Sequence, residues 1–484
     1  MARKITTFIL TLIIMLGLST GKVFAVPPFD DSAYRKTETI LLIDSRSGNV
    51  LFEKNADAKI FPASTTKILT SIIIIEQGGD LNQEFSVGTG VGGSSVRSAT
   101  NEKLIQGEKI KLIDLLYGLM LPSGNDAAKT IALNMGGIGE DTDEETALNN
   151  FADIMNQTAQ ELGMEDSHFL SPSGLHNENH YTTAKDMAKA ARYAMTIELF
   201  RTVVSTVNYI IPPTNKYNKD TKLTNSNRLI LPQRNGADNP YYNEYAIGIK
   251  TGDTSQAGRC LVAAAKKENM ELIVLIFGDR TDSGEDRWKI ANKLFEWGFE
   301  NFVPANITPL ILDTKIPVQI SNASINDSGF DTDTQKANLD LIPAYKEGDE
   351  RYISVSSEIS QVISSTIEQI TSTPSIFPGL TAPIEQGKVC GSVEYSYNGE
   401  VIYTIDLVAS RDVKEFVPDE PINSPSVTKM EPIEPPKPEP ISLWWWLLIP
   451  GILILALFIR WIMIRKRKKN RFKKRRRYRY NIRK

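Results

Sequence analysis

Three short segments constrain the fold of this 484-residue chain more than any other feature: Ser64-Thr65-Thr66-Lys67, Ser123-Gly124-Asn125 and Lys250-Thr251-Gly252. Together they describe a serine acyl-transfer site with lysine in place of histidine as the base. A fold that uses them has to gather three distant stretches of chain. Singly they say little. Ser-x-x-Lys arises by chance about once or twice in a chain of this size, and Ser426-Val427-Thr428-Lys429 is such a decoy inside a proline-rich stretch. The other two tripeptides are each expected roughly 0.1 times by chance. An ordered set of all three is not accidental.

The chemistry explains the spacing. A serine hydroxyl is a poor nucleophile at neutral pH and needs a neighbouring base. Residues i and i+3 of a helix share a face, with Cβ atoms about 5–6 Å apart, which sets Lys67 beside Ser64. Pro62-Ala63 precedes the serine, and Ile68-Leu69-Thr70-Ser71-Ile72-Ile73-Ile74-Ile75-Glu76 follows the lysine. That run is apolar on every side, which predicts a helix buried in a domain core. Burial and a second cation lower a lysine pKa and let it take a proton; Lys250 is the candidate cation. A serine at a buried helix N-terminus also places its own N–H near a developing oxyanion.

The motif set resembles that of serine-type D-alanyl-D-alanine carboxypeptidases, the low-molecular-mass penicillin-binding proteins of peptidase family S11. The resemblance runs from about Tyr34 to Phe416. It includes a hairpin, Ile40-Leu41-Leu42-Ile43-Asp44 with Gly48-Asn49-Val50-Leu51-Phe52-Glu53, and Asp114-Leu115-Leu116-Tyr117-Gly118-Leu119-Met120-Leu121 leading into the second motif. Ser171-Pro172-Ser173-Gly174-Leu175, His180-Tyr181-Thr182-Thr183-Ala184 and Ala257-Gly258-Arg259 extend it.

The resemblance implies an α/β penicillin-binding/β-lactamase-like transpeptidase fold, followed by a β-rich C-terminal domain and a single transmembrane helix. It implies removal of the terminal D-alanine from peptidoglycan stem pentapeptides through a Ser64 acyl-enzyme, with β-lactams acylating the same serine. Lys67 matches the base. Ser123 and Asn125 match the pair that relays a proton and holds the substrate amide. Lys250 and Thr251 match the strand that receives the substrate carboxylate, and Gly252 lets the substrate backbone approach that strand. The N–H groups of Ser64 and Asp253 would form the oxyanion hole. Asp253 departs from the family pattern, and its carboxylate is a candidate to retune substrate preference or Lys250. No metal or cofactor is expected.

Other polar residues have competing readings. His168, His176 and His180 lie close together, but their spacing fits no helical His-x3-His pair, which favours loop hydrogen bonding over a metal. Arg228, Arg259, Arg280 and Arg287 are candidates for a carboxylate contact or for structural roles. Glu145-Thr146-Ala147-Leu148-Asn149 matches the Glu-x-x-Leu-Asn pattern of a β-lactamase deacylating base, although its acidic surroundings read as a helix start. A β-lactam sensor is a further rival, but it needs a cytoplasmic signalling domain and the chain after the last apolar segment is short. Cys260 and Cys390 read as two buried thiols.

Composition locates the chain. Residues 1–25 read as a secretory signal, with Arg3 and Lys4 before the apolar Ile5–Leu18 and a cleavage site at Val23-Phe24-Ala25. Residues 443–464 read as a transmembrane helix, entered by Trp444, Trp445 and Trp446 and containing only Arg460, near its end and able to snorkel. The tail, 465–484, has fourteen Lys or Arg and no acid, which places it in the cytoplasm and the large domain outside a bacterial cell membrane. Of 55 Lys and Arg, three lie in the signal and fifteen from Leu443 onward. That leaves 37 against 58 acids, a net −21 for the exported part. Such a domain does not bind nucleic acid non-specifically.

The exported part divides into a catalytic domain, 26–302, a β-rich domain, 303–416, and a stalk, 417–442, with eight prolines in 26 residues. In the β-rich domain Tyr397-Asn398-Gly399-Glu400 reads as a hairpin turn. At about 3.1 Å per residue the stalk reaches at most ~80 Å, which would hold the catalytic domain off the membrane and within reach of the wall. Shortening the stalk is therefore expected to change wall muropeptide composition in cells, read by chromatography of digested wall; an unchanged profile would remove this role.

Overall fold

The run Ile40-Leu41-Leu42-Ile43 is no more than 1% exposed at any position, because both faces of its strand are covered. The structure is a computed structural model. It describes residues 32–90, 94–100, 102–139, 142–281, 283–345 and 351–418, all within one unit. The stretches read from the sequence as a signal, a transmembrane helix and a basic tail, and all of the expected stalk beyond Pro418, lie outside the described residues. Among the described residues no helix is long and apolar enough to cross a membrane.

Five strands form the central sheet: β1 (Thr37–Asp44), β2 (Val50–Lys54), β3 (Ala246–Thr254), β4 (Gly258–Lys267) and β5 (Met270–Asp279). They are antiparallel in the order β2-β1-β5-β4-β3. The β1–β2 pairing is the hairpin that the sequence pattern predicts. Around the sheet lie α1 (Lys67–Gln77), α2 (Leu112–Met120), α3 (Asn125–Met135), α4 (Glu144–Glu161), α5 (Ala184–Thr196), α6 (Glu198–Ser205) and α7 (Asp286–Asn301).

Side chains alternate across a strand, and the two cores follow that alternation. Ile40, Leu42, Val274 and Ile276 pack with Trp288, Leu294 and Phe295 of α7. Leu41, Ile43, Ile273 and Leu275 pack with the other helices through Ile68, Leu115, Ile131, Phe151 and Phe200. A sheet covered on both sides needs apolar residues at every position, so its strands read as continuous runs. Each buried Leu or Ile contributes about 1.5–3 kcal/mol relative to exposure. Local signals set the helix starts. Asp143 accepts from Thr146 N at 2.8 Å to cap α4, and Thr183 accepts from Asp186 N at 3.1 Å to cap α5.

The C-terminal part has its own core. Its strands are β6 (Val303–Asn306), β7 (Ile316–Ile320), β8 (Phe330–Asp331), β9 (Lys336–Pro343), β10 (Tyr352–Val355), β11 (Thr371–Ile376), β12 (Val389–Tyr397) and β13 (Glu400–Ala409). Six of them make an antiparallel sheet, β7-β9-β13-β12-β11, with β8 paired to β9. β6 pairs with β10. The β12–β13 hairpin turns at Asn398 and Gly399, whose φ values of +49° and +81° suit the tight primed turn that Asn-Gly favours. A helix that the strand-rich pattern had not announced, α8 (Ser357–Ser365), is capped by Ser356. Cys260 and Cys390 are buried free thiols, and burial pushes the Cys260 thiol up to about 12, so it is inert.

One buried carboxylate joins the two parts. Asp44, at the end of β1, accepts through Oδ1 from Arg46 N at 3.1 Å and Ser47 N at 2.7 Å. Its Oδ2 accepts from Ser354 N of β10 at 2.9 Å. Asn49 Nδ2 adds a bond to Ile402 O of β13 at 2.6 Å. Asp44→Ala would strand the buried Ser354 N–H without an acceptor. It is expected to cost about 1–3 kcal/mol, seen as a lower midpoint in thermal or denaturant unfolding.

Candidate active site

The three motifs meet. Ser64 sits on a single 3-10 turn, Ala63–Thr66, and Lys67 opens α1 directly behind it. Second-motif Ser123 and Gly124 precede α3, which starts at Asn125. The third motif lies on β3, an edge strand that runs against the nucleophile turn. At Gly252 a Cβ would fall 3.1 Å from Ala63 Cβ and from Pro62 O. The sequence reading gave that glycine to substrate approach. In the structure the nucleophile turn itself already needs the space.

Lys67 is fully buried. Its Nζ lies 2.9 Å from Ser64 Oγ, 2.8 Å from Asn125 Oδ1 and 3.0 Å from Ser173 O. The two carbonyl oxygens can only accept, so they take N–H groups. A neutral amine has two N–H groups and one lone pair, and the lone pair is then left facing Ser64 Oγ. Burial holds the Lys67 pKa well below its ordinary value, the Lys250 cation lowers it further, and Asp126 opposes them. Lys250 is 1% exposed and donates to Thr251 O at 3.0 Å. Burial, and then Arg287, bring it down to about 7.

The backbone around these groups is strained. Ala63 has φ +48° and Ser123 has φ +66°, a region that costs a non-glycine residue of order 1–3 kcal/mol. Neighbours fix both. Gly174 lies so close to the nucleophile turn that a Cβ there would fall 1.8 Å from Ala63 O. Ser94 Oγ donates to Ser123 O at 2.5 Å. Asp126, one residue past the second motif, accepts from Ser95 Oγ at 2.5 Å, Val96 N at 2.9 Å and Leu104 N at 3.2 Å. It thereby pins the 94–104 segment over the second motif.

Some assigned residues stand differently from their sequence reading. The Ser123 hydroxyl makes no hydrogen bond to either lysine among the described contacts. Asn125 commits its carbonyl to Lys67, which leaves its NH2 for a substrate. Asp253 is exposed and lies 3.7 Å from Arg259 Nε. It is not among the causes of the Lys250 shift; Arg287 fills that role. Glu145 is exposed on the first turn of α4 and has no described bond to Ser64, Lys67 or Ser123, so it is not placed to activate a deacylating water. Arg280 pairs with Glu38 at 2.7 Å and Arg228 with Glu285 at 2.6 Å.

Three contributors lay outside the assigned site: Ser173 stood only in a segment of the resemblance, Arg287 only among the candidate carboxylate contacts, and Ser226 was not singled out. Ser173 acts through its carbonyl, which any residue could supply. Ser226 donates to or accepts from Thr251 Oγ1 at 2.9 Å. Arg287 donates to Gly252 O at 3.1 Å, and with Ser226, Arg228 and Arg259 it lines a cavity of about 640 Å³ beside the third motif. The excess of arginine over acid there suits an anionic group.

A sequence model of the D-alanyl-D-alanine carboxypeptidase family matches residues 30–281, just over half of the chain. The chain belongs to this family. A second model, the C-terminal domain of penicillin-binding protein 5, matches residues 344–415. Among relatives of this carboxypeptidase is D-alanyl-D-alanine carboxypeptidase DacF of Bacillus subtilis, 26% identical over 388 residues, 78% of this chain and 86% of DacF. The D-alanyl-D-alanine carboxypeptidase of Streptomyces sp. strain K15 is 32% identical over 261 residues, 53% of this chain and 85% of its own. Penicillin-binding protein 5 from Haemophilus influenzae superposes with a TM-score of 0.50 at 25% identity, over 78% of this chain and 98% of that one. The carboxypeptidase thus has the transpeptidase fold of that protein with the same kind of C-terminal β domain.

The lowered Lys250 pKa carries a stability consequence. Between about 7 and its ordinary value of 10.5, the unfolded chain holds a proton that the folded chain does not, so stability rises with pH through that window. Lys250→Met is expected to raise the melting temperature at pH 7, by on the order of several kcal/mol of stability. The gap should close as pH approaches 10 in a pH series of melts.

Proposed function

We propose that Ser64 attacks the terminal D-Ala-D-Ala amide of a peptidoglycan stem pentapeptide. The observation that carries this reading is the Lys67 Nζ, 2.9 Å from Ser64 Oγ with both remaining partners pure acceptors. Lys67 takes the hydroxyl proton as the Oγ–carbonyl bond forms. The oxyanion is held by the N–H groups of Ser64 and Asp253, donors fixed before reaction. The C–N bond then breaks, the amine takes a proton and D-alanine leaves. The Ser123 hydroxyl, which matches the proton-relaying serine of the family's second motif, is assigned the transfer of that proton. Water, deprotonated by the same lysine, hydrolyses the ester and regenerates Ser64.

Substrate recognition follows from the surrounding groups. The Asn125 NH2 holds the substrate amide. Lys250, Thr251 and Ser226 receive the terminal carboxylate. Binding a carboxylate raises the pKa of Lys250, so the pair enters the site as a protonated amine with its anion. β-Lactams present a similar amide and carboxylate and acylate the same serine. The protein works outside a bacterial membrane, anchored by residues 443–464 with its basic tail in the cytoplasm. The apolar segment and its flanking charges support this placement.

The test is D-alanine release from a stem pentapeptide by full-length protein in detergent, beside the Ser64→Ala variant and with a labelled penicillin in parallel. Release and labelling should both vanish in Ser64→Ala, with activity down by at least about 10⁴-fold. A stable penicillin adduct without peptide cleavage would instead assign a sensor, and rapid penicillin turnover without cleavage a β-lactamase.

A further inference from the structure

His180 is 1% exposed and lies in neither of the three motifs nor the substrate cleft. Its Nδ1 accepts from Leu170 N at 3.0 Å and from Ser171 N at 3.2 Å. Backbone N–H groups can only donate, so Nδ1 carries the lone pair and the ring proton sits on Nε2. Nε2 then donates to Thr66 Oγ1 at 2.9 Å. Thr66 is the residue before Lys67 on the nucleophile turn. Leu170 and Ser171 open the loop whose Ser173 carbonyl is the third partner of Lys67. One ring therefore ties the base's own turn to the loop that supplies its acceptor.

The rest of that loop depends on the same anchorage. Ser171 Oγ lies 3.1 Å from Ser173 Oγ and accepts from Ser173 N at 3.3 Å. Pro172 O accepts from Thr70 Oγ1 of α1 at 2.7 Å. The ring also packs edge-on against Phe169, with centroids 5.5 Å apart. Burial holds the His180 pKa down at about 4, and the neighbouring His168 and His176 lower it too. The imidazole is thus neutral at working pH and keeps the one tautomer that satisfies both sides.

We propose that His180 is a positioning residue for acylation: through Thr66 and the 170–173 loop it holds the Ser173 carbonyl where it claims one N–H of Lys67 and leaves the lone pair facing Ser64. This rests on the assignment of Ser64 as nucleophile and Lys67 as base. The step itself is unchanged; Lys67 takes the Ser64 proton as the ester bond forms. Without the tie, the Ser173 carbonyl drifts and the lysine loses an acceptor that stabilises its ammonium form. The base becomes less well aimed and its pKa falls.

The experiment compares full-length protein with three variants in detergent. Thr66→Val removes only the acceptor on the turn, in a nearly unchanged shape. His180→Asn keeps an acceptor where Nδ1 stands and loses the donor to Thr66. The third variant carries both changes. Acylation rate by a fluorescent penicillin is measured per titratable serine from pH 5 to 9, with melting temperatures alongside. Each single variant should acylate about 10–100-fold more slowly, and its acid limb should move to lower pH. The double variant should be no slower than the worse single one.

Wild-type rate and pH profile in Thr66→Val would overturn the proposal. So would a slow variant whose acid limb stays in place, since a merely structural loss would not move the pKa of Lys67. D-alanine release by the wild type is scored separately. Its absence overturns the carboxypeptidase reading, whereas normal release with unaffected variants overturns only the role of His180.

Discussion

A lysine amine buried beside a serine hydroxyl is the constraint on which the rest of this molecule depends. Lys67 is fully buried, and burying an ammonium without compensation is costly. The structure resolves the cost by lowering the pKa and by giving the amine three oxygen partners from three places in the chain. Ser64 comes from the turn before α1, Asn125 from the start of α3 and Ser173 from the loop before α5. If any of these elements moved, the base would lose either its aim or its electrostatic setting.

The architecture can be read as the support for that arrangement. The two-faced sheet buries β1 and β5 except at Glu38 and Glu271 and pairs β5 with β4, and β4 with the edge strand β3. β3 then presses against the nucleophile turn so closely that a Cβ at position 252 would sit 3.1 Å from Ala63 Cβ and Pro62 O, a tight contact. Gly174 closes on the same turn still more tightly, since a Cβ there would fall 1.8 Å from Ala63 O. The turn is clamped between two glycines and held at a positive φ. The strain is local to the chemistry, and the surrounding core over-determines it.

Two lysines in one dry site divide the electrostatic work. Burial depresses both amines, and Lys250 adds to the effect on Lys67 as Arg287 does to that on Lys250. The arginine-lined cavity beside β3 extends the same positive field, although the stretch 26–442 as a whole is strongly acidic. Local field and net charge thus have opposite signs, and the local one decides what enters the cleft.

Much of this was legible in the residues. The 40–44 and 48–53 segments announced a hairpin, the apolar run after Lys67 announced a core helix, and Asn398-Gly399 announced its turn, because each signal is local. The motifs named Ser64, Lys67, Asn125 and Lys250 for the same reason: their chemistry resides in the side chain. Ser173 was invisible, since it contributes a backbone carbonyl. The electrostatic hold of Arg287 on Lys250 was invisible because it crosses from α7 to β3, and α8 escaped notice in a strand-rich stretch. By itself the sequence determined which groups could react and which segments would be buried. Only the tertiary structure decided which acceptors surround the base, how completely it is buried and which glycines pack against the turn, because those depend on distances between residues far apart in the chain.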